Sequence, residues 1–147
     1  MNNDDDILPG KLLKIVANEL LRQYEAILRP YGLGAAGIPV LNCLDLGIAN
    51  TQSALAEVLQ VEQPSMAQCL SRLERDGFIV RVASQAHDKR IKEVQLTDSA
   101  KAIIPEAKAR LRQLNDRAMA DFSEAETQQL RQLLKRVHHN LITDETI

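Results

Sequence analysis

The feature that most constrains the fold is the order of local patterns in residues 51–100, TQSALAEVLQVEQPSMAQCLSRLERDGFIVRVASQAHDKRIKEVQLTDSA. This stretch has the pattern of a helix, a tight turn, a second helix, a strand, a charged loop, a second strand and the start of another helix. That order is typical of a winged helix-turn-helix, whose usual partner is duplex DNA. The sequence therefore predicts a mainly α-helical fold with a small β-hairpin wing.

The two helices of this stretch have recognisable starts. Asn50 or Thr51 can cap the first, and the second begins near Gln63 with Pro64 in its first turn, where proline is tolerated. Apolar residues at helical spacing predict the buried face of this second helix: Met66, Leu70 and Leu73. Its opposite face is left to solvent or to a partner.

The wing follows directly. Gly77 ends the helix, and residues 78–82 and 91–96 are rich enough in β-branched and aromatic side chains to form two strands. The polar loop between them, residues 83–90, is too long for a two-residue hairpin turn. We therefore predict that this loop is the wing.

Helical patterns flank the region at both ends. Residues 11–31 predict a long helix that Pro30 and Gly32 end, and a short helix is expected within 35–46. The apolar positions of these two helices are Leu12, Val16, Leu20, Tyr24, Ile27 and Tyr31 in the first, and Val40, Leu41 and Leu44 in the second.

Two more helices are predicted after the wing. Thr97 can cap a long helix in which Pro105 should cause a kink or a restart, and the sequence SEAE at 123–126 is a capping box for the last helix. The apolar positions are Ile103, Ala107, Leu111, Leu114, Ala118 and Phe122, then Leu130, Leu133, Leu134, Val137 and Leu141.

The whole chain, residues 1–147, is interpreted as one DNA-binding region with helical flanks. Residues 35–100 form the winged helix-turn-helix, and residues 7–32 and 101–143 are predicted to be dimerisation helices. The flanking helices carry more apolar surface than one small winged helix can cover, so we expect a homodimer. The alternative is that these helices fold back on their own domain.

The charge distribution fits selective DNA binding. The chain has a net charge of −2 and an acidic start at Asp4, Asp5 and Asp6, yet residues 65–92 contain six basic and three acidic side chains, a local net charge of +3. An acidic body with a basic face indicates docking at one surface.

The predicted DNA contacts come from two elements. The second helix of the helix-turn-helix is the predicted recognition helix. It offers short or hydrogen-bonding side chains opposite its buried face: Gln63, Ser65, Ala67, Gln68, Ser71 and Arg72. Gln68 suits the edge of adenine, Arg72 guanine or a phosphate, and Ser65 a phosphate. An ordinary solvated helix face is the alternative interpretation.

The wing offers Asp88, Lys89, Arg90 and Lys92. An arginine at a hairpin tip can enter a narrow minor groove, and an aspartate two residues away can orient its guanidinium by a charge-assisted bond. Lys92 is predicted to contact a phosphate. A solvated charged turn is the alternative here.

These blocks resemble the MarR family of bacterial transcriptional regulators. The matching segments are LAEVL at 55–59, LERDGFIVR at 73–81, DKR at 88–90 and VQLT at 94–97. The resemblance implies a homodimer that binds a pseudo-palindromic operator in double-stranded DNA, usually represses nearby genes and is often released by a small ligand or an oxidant. Gln68 stands where many members are basic and Ala67 where a hydroxyl is frequent, so base preference is not carried over.

Other chemistry is not indicated. Cys43 and Cys69 lack a CxxC spacing, and buried apolar cysteines are usually inert, so a redox-sensing regulator is a less favoured alternative. His87, His138 and His139 do not have zinc-ligand spacing, no catalytic motif occurs, and we expect no metal, no cofactor and no enzyme activity. The sequence does not identify an effector or its site.

The sequence also bears on the cellular location of the protein and on an alternative function. No apolar run of 18 residues and no basic leader before an apolar core occurs, so a cytoplasmic protein without membrane contact is expected. A winged helix used only for protein contacts is the main alternative to a DNA reader.

Overall fold

The structure is a computed structural model that describes residues 7–85 and 88–143. His87 and the acidic residues at 4–6, which entered the sequence predictions, lie outside this part of the chain. The helices and strands follow the predicted order: α1 Pro9–Leu28 with a 3-10 turn Arg29–Tyr31, α2 Gly37–Asp45, α3 Gln52–Leu59, α4 Gln63–Arg75, β1 Ile79–Ala83, β2 Lys92–Leu96, α5 Asp98–Ala118 and α6 Glu124–Thr143.

The described residues form two compact units, 7–111 and 112–143. The first contains α1 to α4, the hairpin and most of α5, and the second contains the end of α5 and all of α6. No helix among the residues that the structure describes has the length and apolar character needed to cross a membrane.

The core of the first unit lies between the end of α1, α2, α3, α4, the hairpin and the start of α5. Its largest fully buried side chains are Leu28, Leu41, Leu55, Met66, Leu70, Ile79 and Val40. This core is aliphatic, and each fully buried side chain of this size contributes roughly 1.5 to 3 kcal/mol to folding.

The helix-turn-helix is set by local signals in the chain. The Thr51 hydroxyl caps α3 by accepting a hydrogen bond from the Ala54 amide at 3.3 Å. Gln60 ends α3 in the left-handed conformation (φ 53°), and Pro64 lies in the first turn of α4. These signals make the tight turn that joins α3 to α4.

The hairpin is antiparallel, with Arg81 opposite Val94 and Ile79 opposite Leu96. Its inner edge is extended by the segment before α3, because the Val94 amide donates to the Asn50 carbonyl at 2.7 Å. The first strand begins one residue later than predicted, since the Phe78 carbonyl instead accepts the Thr97 amide at 3.1 Å.

The predicted apolar stripe of α1 is only partly buried. The helix begins at Pro9 rather than residue 11, because proline suits the first turn. Leu12 and Val16 are exposed, whereas Leu28, which lies outside the predicted stripe, is fully buried.

The helices after the wing differ from the prediction in three details. Ile104 rather than Ile103 is the buried residue of that turn, and α5 ends at Ala118, so that Phe122 lies beyond the helix and is exposed. Pro105 does not interrupt α5, which is one continuous helix.

The predicted capping box of α6 is confirmed, since the Glu126 amide donates to Ser123 Oγ at 3.1 Å and the Ser123 amide donates to Glu126 Oε2 at 3.2 Å.

Thr97 joins the end of α4 to the start of α5. Its hydroxyl accepts a hydrogen bond from the Ala100 amide at 3.2 Å and donates one to the Gly77 carbonyl at 2.6 Å. We expect Thr97→Val to lower the free energy of unfolding by roughly 1 to 2 kcal/mol, because both bonds are lost at nearly constant shape. Thr97→Ser, which keeps the hydroxyl, is the control in urea unfolding. Equal stability of Thr97→Val and the parent would contradict this role.

Candidate nucleic-acid interface

The recognition helix is oriented by its apolar side. Met66, Leu70 and Leu73 are almost fully buried, as predicted, and they fix which side of α4 faces outward. Of the residues predicted to contact DNA on this helix, five are exposed: Gln63, Ser65, Gln68, Ser71 and Arg72. Ala67 is half-buried, so it presents less surface than the prediction assumed.

The exposed residues do not form one uniform face. Ser65, Gln68 and Arg72 lie on one flank, where they line a groove together with Gly34 and Ala36 from the loop before α2. The groove has a cavity volume of about 210 Å³. These three predicted contacts are therefore brought together.

The other flank has different neighbours. Gln63 accepts a hydrogen bond from Gln52 Nε2 of α3 at 3.5 Å, and Ser71 Oγ accepts one from Arg81 Nη2 of β1, also at 3.5 Å. Both contacts are long. Ser71 is thus held toward the hairpin, whereas Gln68 faces the groove.

The wing shows the predicted contact between its acid and its arginine. Arg90 Nε donates to both carboxylate oxygens of Asp88, at 3.2 and 3.0 Å, and its Nη2 lies 2.9 Å from Asp88 Oδ2. The Arg90 amide also donates to Asp88 Oδ1 at 3.0 Å. The Arg90 side chain is 90% exposed, so the carboxylate orients a guanidinium that remains open to solvent.

This arrangement lowers the pKa of Asp88. The side-chain hydrogen bonds from Arg90 are the main cause, and the bond from the Arg90 amide is the next. The ionised carboxylate therefore orients Arg90 at neutral pH, and this orientation is lost only when the pH falls through the lowered pKa of Asp88.

The ion pairs divide the basic residues of this surface into two groups. Each acidic side chain between Gln63 and Lys92 is matched with an arginine: Asp76 with Arg75 at 3.0 Å, Glu74 with Arg81 at 3.8 Å, and Asp88 with Arg90 at 2.9 Å. Within the described ranges, Arg72, Lys89 and Lys92 form no ion pair. The excess positive charge of the region therefore resides on these three side chains.

Arg81 was not among the residues predicted for the site. Arg81 reaches α4 from a strand, and no local pattern predicts such a contact.

The cysteines lie in apolar surroundings. Cys43 is buried, and the half-buried Cys69 donates from Sγ to the Ala36 carbonyl at 3.6 Å. Burial raises the pKa of the Cys69 thiol, although the nearby Arg72 charge opposes this effect. Little reactive thiolate is therefore expected at Cys69 at neutral pH.

The comparisons with known proteins agree with this geometry. The MarR family model matches residues 38–92, which span α2 to the start of β2. Among solved structures, the reduced form of MarR from E. coli is 28% identical, with a TM-score of 0.72, and the match covers 89% of this chain and 96% of that one. A cysteine-to-serine mutant of E. coli MarR in complex with operator DNA is 27% identical, with a TM-score of 0.79 and coverage of 93% and 99%.

A structure of S. aureus MepR in complex with DNA has the same fold, with a TM-score of 0.83 at 20% identity and coverage of 95% and 99%. The resemblance to the MarR family that the motifs carry is therefore confirmed. The chain has the winged helix-turn-helix fold of the MarR-family transcriptional regulators.

The wing geometry gives a test that needs no DNA. We expect Arg90→Ala to raise the pKa of Asp88 toward its ordinary value, because the side-chain bonds from Arg90 are the largest cause of the lowered pKa and only the amide bond remains. Lys89→Ala, which removes a neighbouring charge, is the control. The Asp88 carboxyl carbon can be followed in an NMR pH titration, and an unchanged midpoint in Arg90→Ala would show that the pair does not form in solution.

Proposed function

We propose that the protein is a sequence-specific DNA-binding transcriptional regulator that acts in the cytoplasm. It binds a pseudo-palindromic operator as a homodimer and represses nearby genes. The observation that carries this proposal is the pairing, in one compact unit, of a recognition helix with an exposed polar face and a wing that presents an oriented arginine. The operator complex of the related E. coli protein supports it.

The helix and the wing have separate roles in this proposal. In the major groove, Gln68 reads adenine through its amide, Arg72 contacts guanine or a phosphate, and Ser65 contacts a phosphate. Gln63, Ala67 and Ser71 complete the helix surface. In the minor groove, Arg90 enters with its guanidinium oriented by Asp88.

The remaining charges supply affinity that does not depend on sequence. Arg72, Lys89 and Lys92 form no ion pair among the described residues, so their contacts with phosphates break no existing interaction. Each phosphate that they neutralise releases counterions, which makes binding fall steeply as salt is added. A winged helix used only for protein contacts would show no salt-dependent binding to duplex DNA.

Release by a small ligand is part of the same proposal. The groove beside α4 is lined by Ser65, Gln68 and Arg72, so a ligand in it would compete with DNA for the same side chains. Its volume of about 210 Å³ restricts the occupant to a small molecule.

The homodimer rests on apolar surface that the described residues leave exposed. The exposed positions on and just before α1 are Leu8, Leu12, Ile15, Val16 and Leu21, and those on α6 are Leu133, Leu134, Val137, Leu141 and Ile142. No residue of α6 is buried, although its apolar residues recur at helical spacing. An amphipathic helix of this kind is stabilised by a partner surface, and a second copy of this chain supplies one.

We expect the parent to sediment as a dimer at micromolar concentration. Leu134→Glu should shift it toward monomer, because a charge would be buried in the interface. Gln132→Glu adds the same charge on the other side of α6 and is the matched control. A parent that sediments as a folded monomer would rule out the dimer.

Two variants can separate sequence recognition from the affinity that does not depend on sequence. Gln68→Ala should relax the preference at one base pair in each half-site by roughly 1 to 3 kcal/mol and leave binding to random duplex nearly unchanged. Lys92→Ala should weaken binding to all duplexes alike and reduce the salt slope by about one unit per half-site. Both are measured by fluorescence anisotropy over a salt series on a duplex selected with the parent and on random duplex of equal length. If Gln68→Ala kept the parent's base preferences, the assigned face of α4 would be wrong.

A further inference from the structure

Arg81 lies on the side of the hairpin that also carries the buried Ile79 and Val94. It lies opposite Val94 in the antiparallel register, and directly opposite residues share one face of a sheet. Val94 is almost fully buried, and so is Ile79, two residues before Arg81 on the same face. The guanidinium is thereby directed to the junction between the hairpin and α4.

The contacts of Arg81 with α4 are present but weak. Nη2 lies 3.5 Å from Ser71 Oγ, and Nε lies 3.8 Å from Glu74 Oε2, which is a charge contact but too long for a hydrogen bond. Ser71 and Glu74 are three residues apart, so they are neighbours on one flank of the helix. Arg81 Nε is buried without a hydrogen-bond partner.

This geometry is a poor way to stabilise a fold. A buried N–H without a partner costs free energy, and the 3.8 Å contact with the half-exposed Glu74 carboxylate contributes little in return because solvent screens it. Packing therefore gives no reason for an arginine at this place. The position of Arg81 between the wing and the recognition helix does give a reason for an arginine, since β1 leads directly into the wing and Ser71 belongs to the recognition helix.

We propose that Arg81 is a positioning residue that adjusts the rotation of the recognition helix relative to the wing, within the limits that the packing of α4 on the core allows. Through Ser71 and Glu74 it fixes how Gln68 meets the major groove when Arg90 occupies the minor groove. This inference rests on the proposed DNA-binding function and adds a determinant of specificity that does not itself touch a base.

The test compares two variants that remove the same charge. Arg81→Met loses the link between β1 and α4 and leaves Glu74 unpaired. Arg75→Met leaves Asp76 unpaired, but Arg75 is 71% exposed and pairs with the adjacent Asp76, so this variant keeps the link between β1 and α4. The probes are a duplex selected with the parent protein and a random-sequence duplex of the same length, each titrated over a salt series.

We expect Arg81→Met to lose roughly tenfold or more of the preference for the selected duplex over random duplex, since misaligned contacts act in both half-sites. Arg75→Met should keep this preference. The salt slope should be the same in the two variants, and Arg81→Met should unfold thermally at or above the parent temperature. Arg81→Lys keeps the charge without the planar fork, so it should lose part of the preference, and it serves as the test if Arg81→Met does not fold.

Two results would overturn the inference. One is an unchanged preference in Arg81→Met or, if that variant does not fold, in Arg81→Lys. The other is a salt slope reduced more in Arg81→Met than in Arg75→Met, which would make Arg81 a phosphate contact. A parent that binds neither duplex would instead contradict the proposed function, so the two failures are distinguishable.

Discussion

The candidate nucleic-acid interface depends on the burial of Met66, Leu70 and Leu73. These three side chains lock one side of α4 into the aliphatic core, so that the opposite side can present polar groups. Truncation of a buried leucine typically costs 2 to 5 kcal/mol, which is a large part of the stability of a small domain. The rotation of α4 is thus set mainly by packing, and the weaker polar contacts at its flanks adjust what packing has already defined.

The distribution of ion pairs gives this small surface two kinds of positive charge. Arg75, Arg81 and Arg90 are each matched with an acid, which limits where their guanidinium groups can go. Lysines 89 and 92 are not restrained in this way, and flexible ammonium groups suit phosphate contacts that need no exact geometry. The acidic residues near this face orient the arginines, although they also lower the positive charge of the face. A chain with a net charge of −2 can therefore still present one basic face to DNA.

Features governed by neighbouring residues could be predicted from the sequence. The caps at Thr51 and Thr97, the capping box at Ser123 and the bond between Asp88 and Arg90 involve residues at most three positions apart. Such contacts depend on local spacing, which a sequence displays directly.

Features that depend on distant parts of the chain were predicted less well. The contact of Arg81 with Ser71 crosses from a strand to a helix, and its residue type gives no hint of its partner. The burial of Leu28 rather than Leu12 or Val16 depends on which part of α1 meets the core. The end of α5 at Ala118 likewise left Phe122 outside the face to which its spacing assigned it.

The proposed function requires a dimer that reads two inverted half-sites with the helix and wing of each protomer. Selection of duplexes from a random-sequence pool by the parent protein tests it most directly. We expect recovery of an inverted repeat whose half-site centres lie about one helical turn apart, roughly 10 base pairs. Recovery of no enriched sequence, or of single half-sites without a fixed spacing, would contradict it.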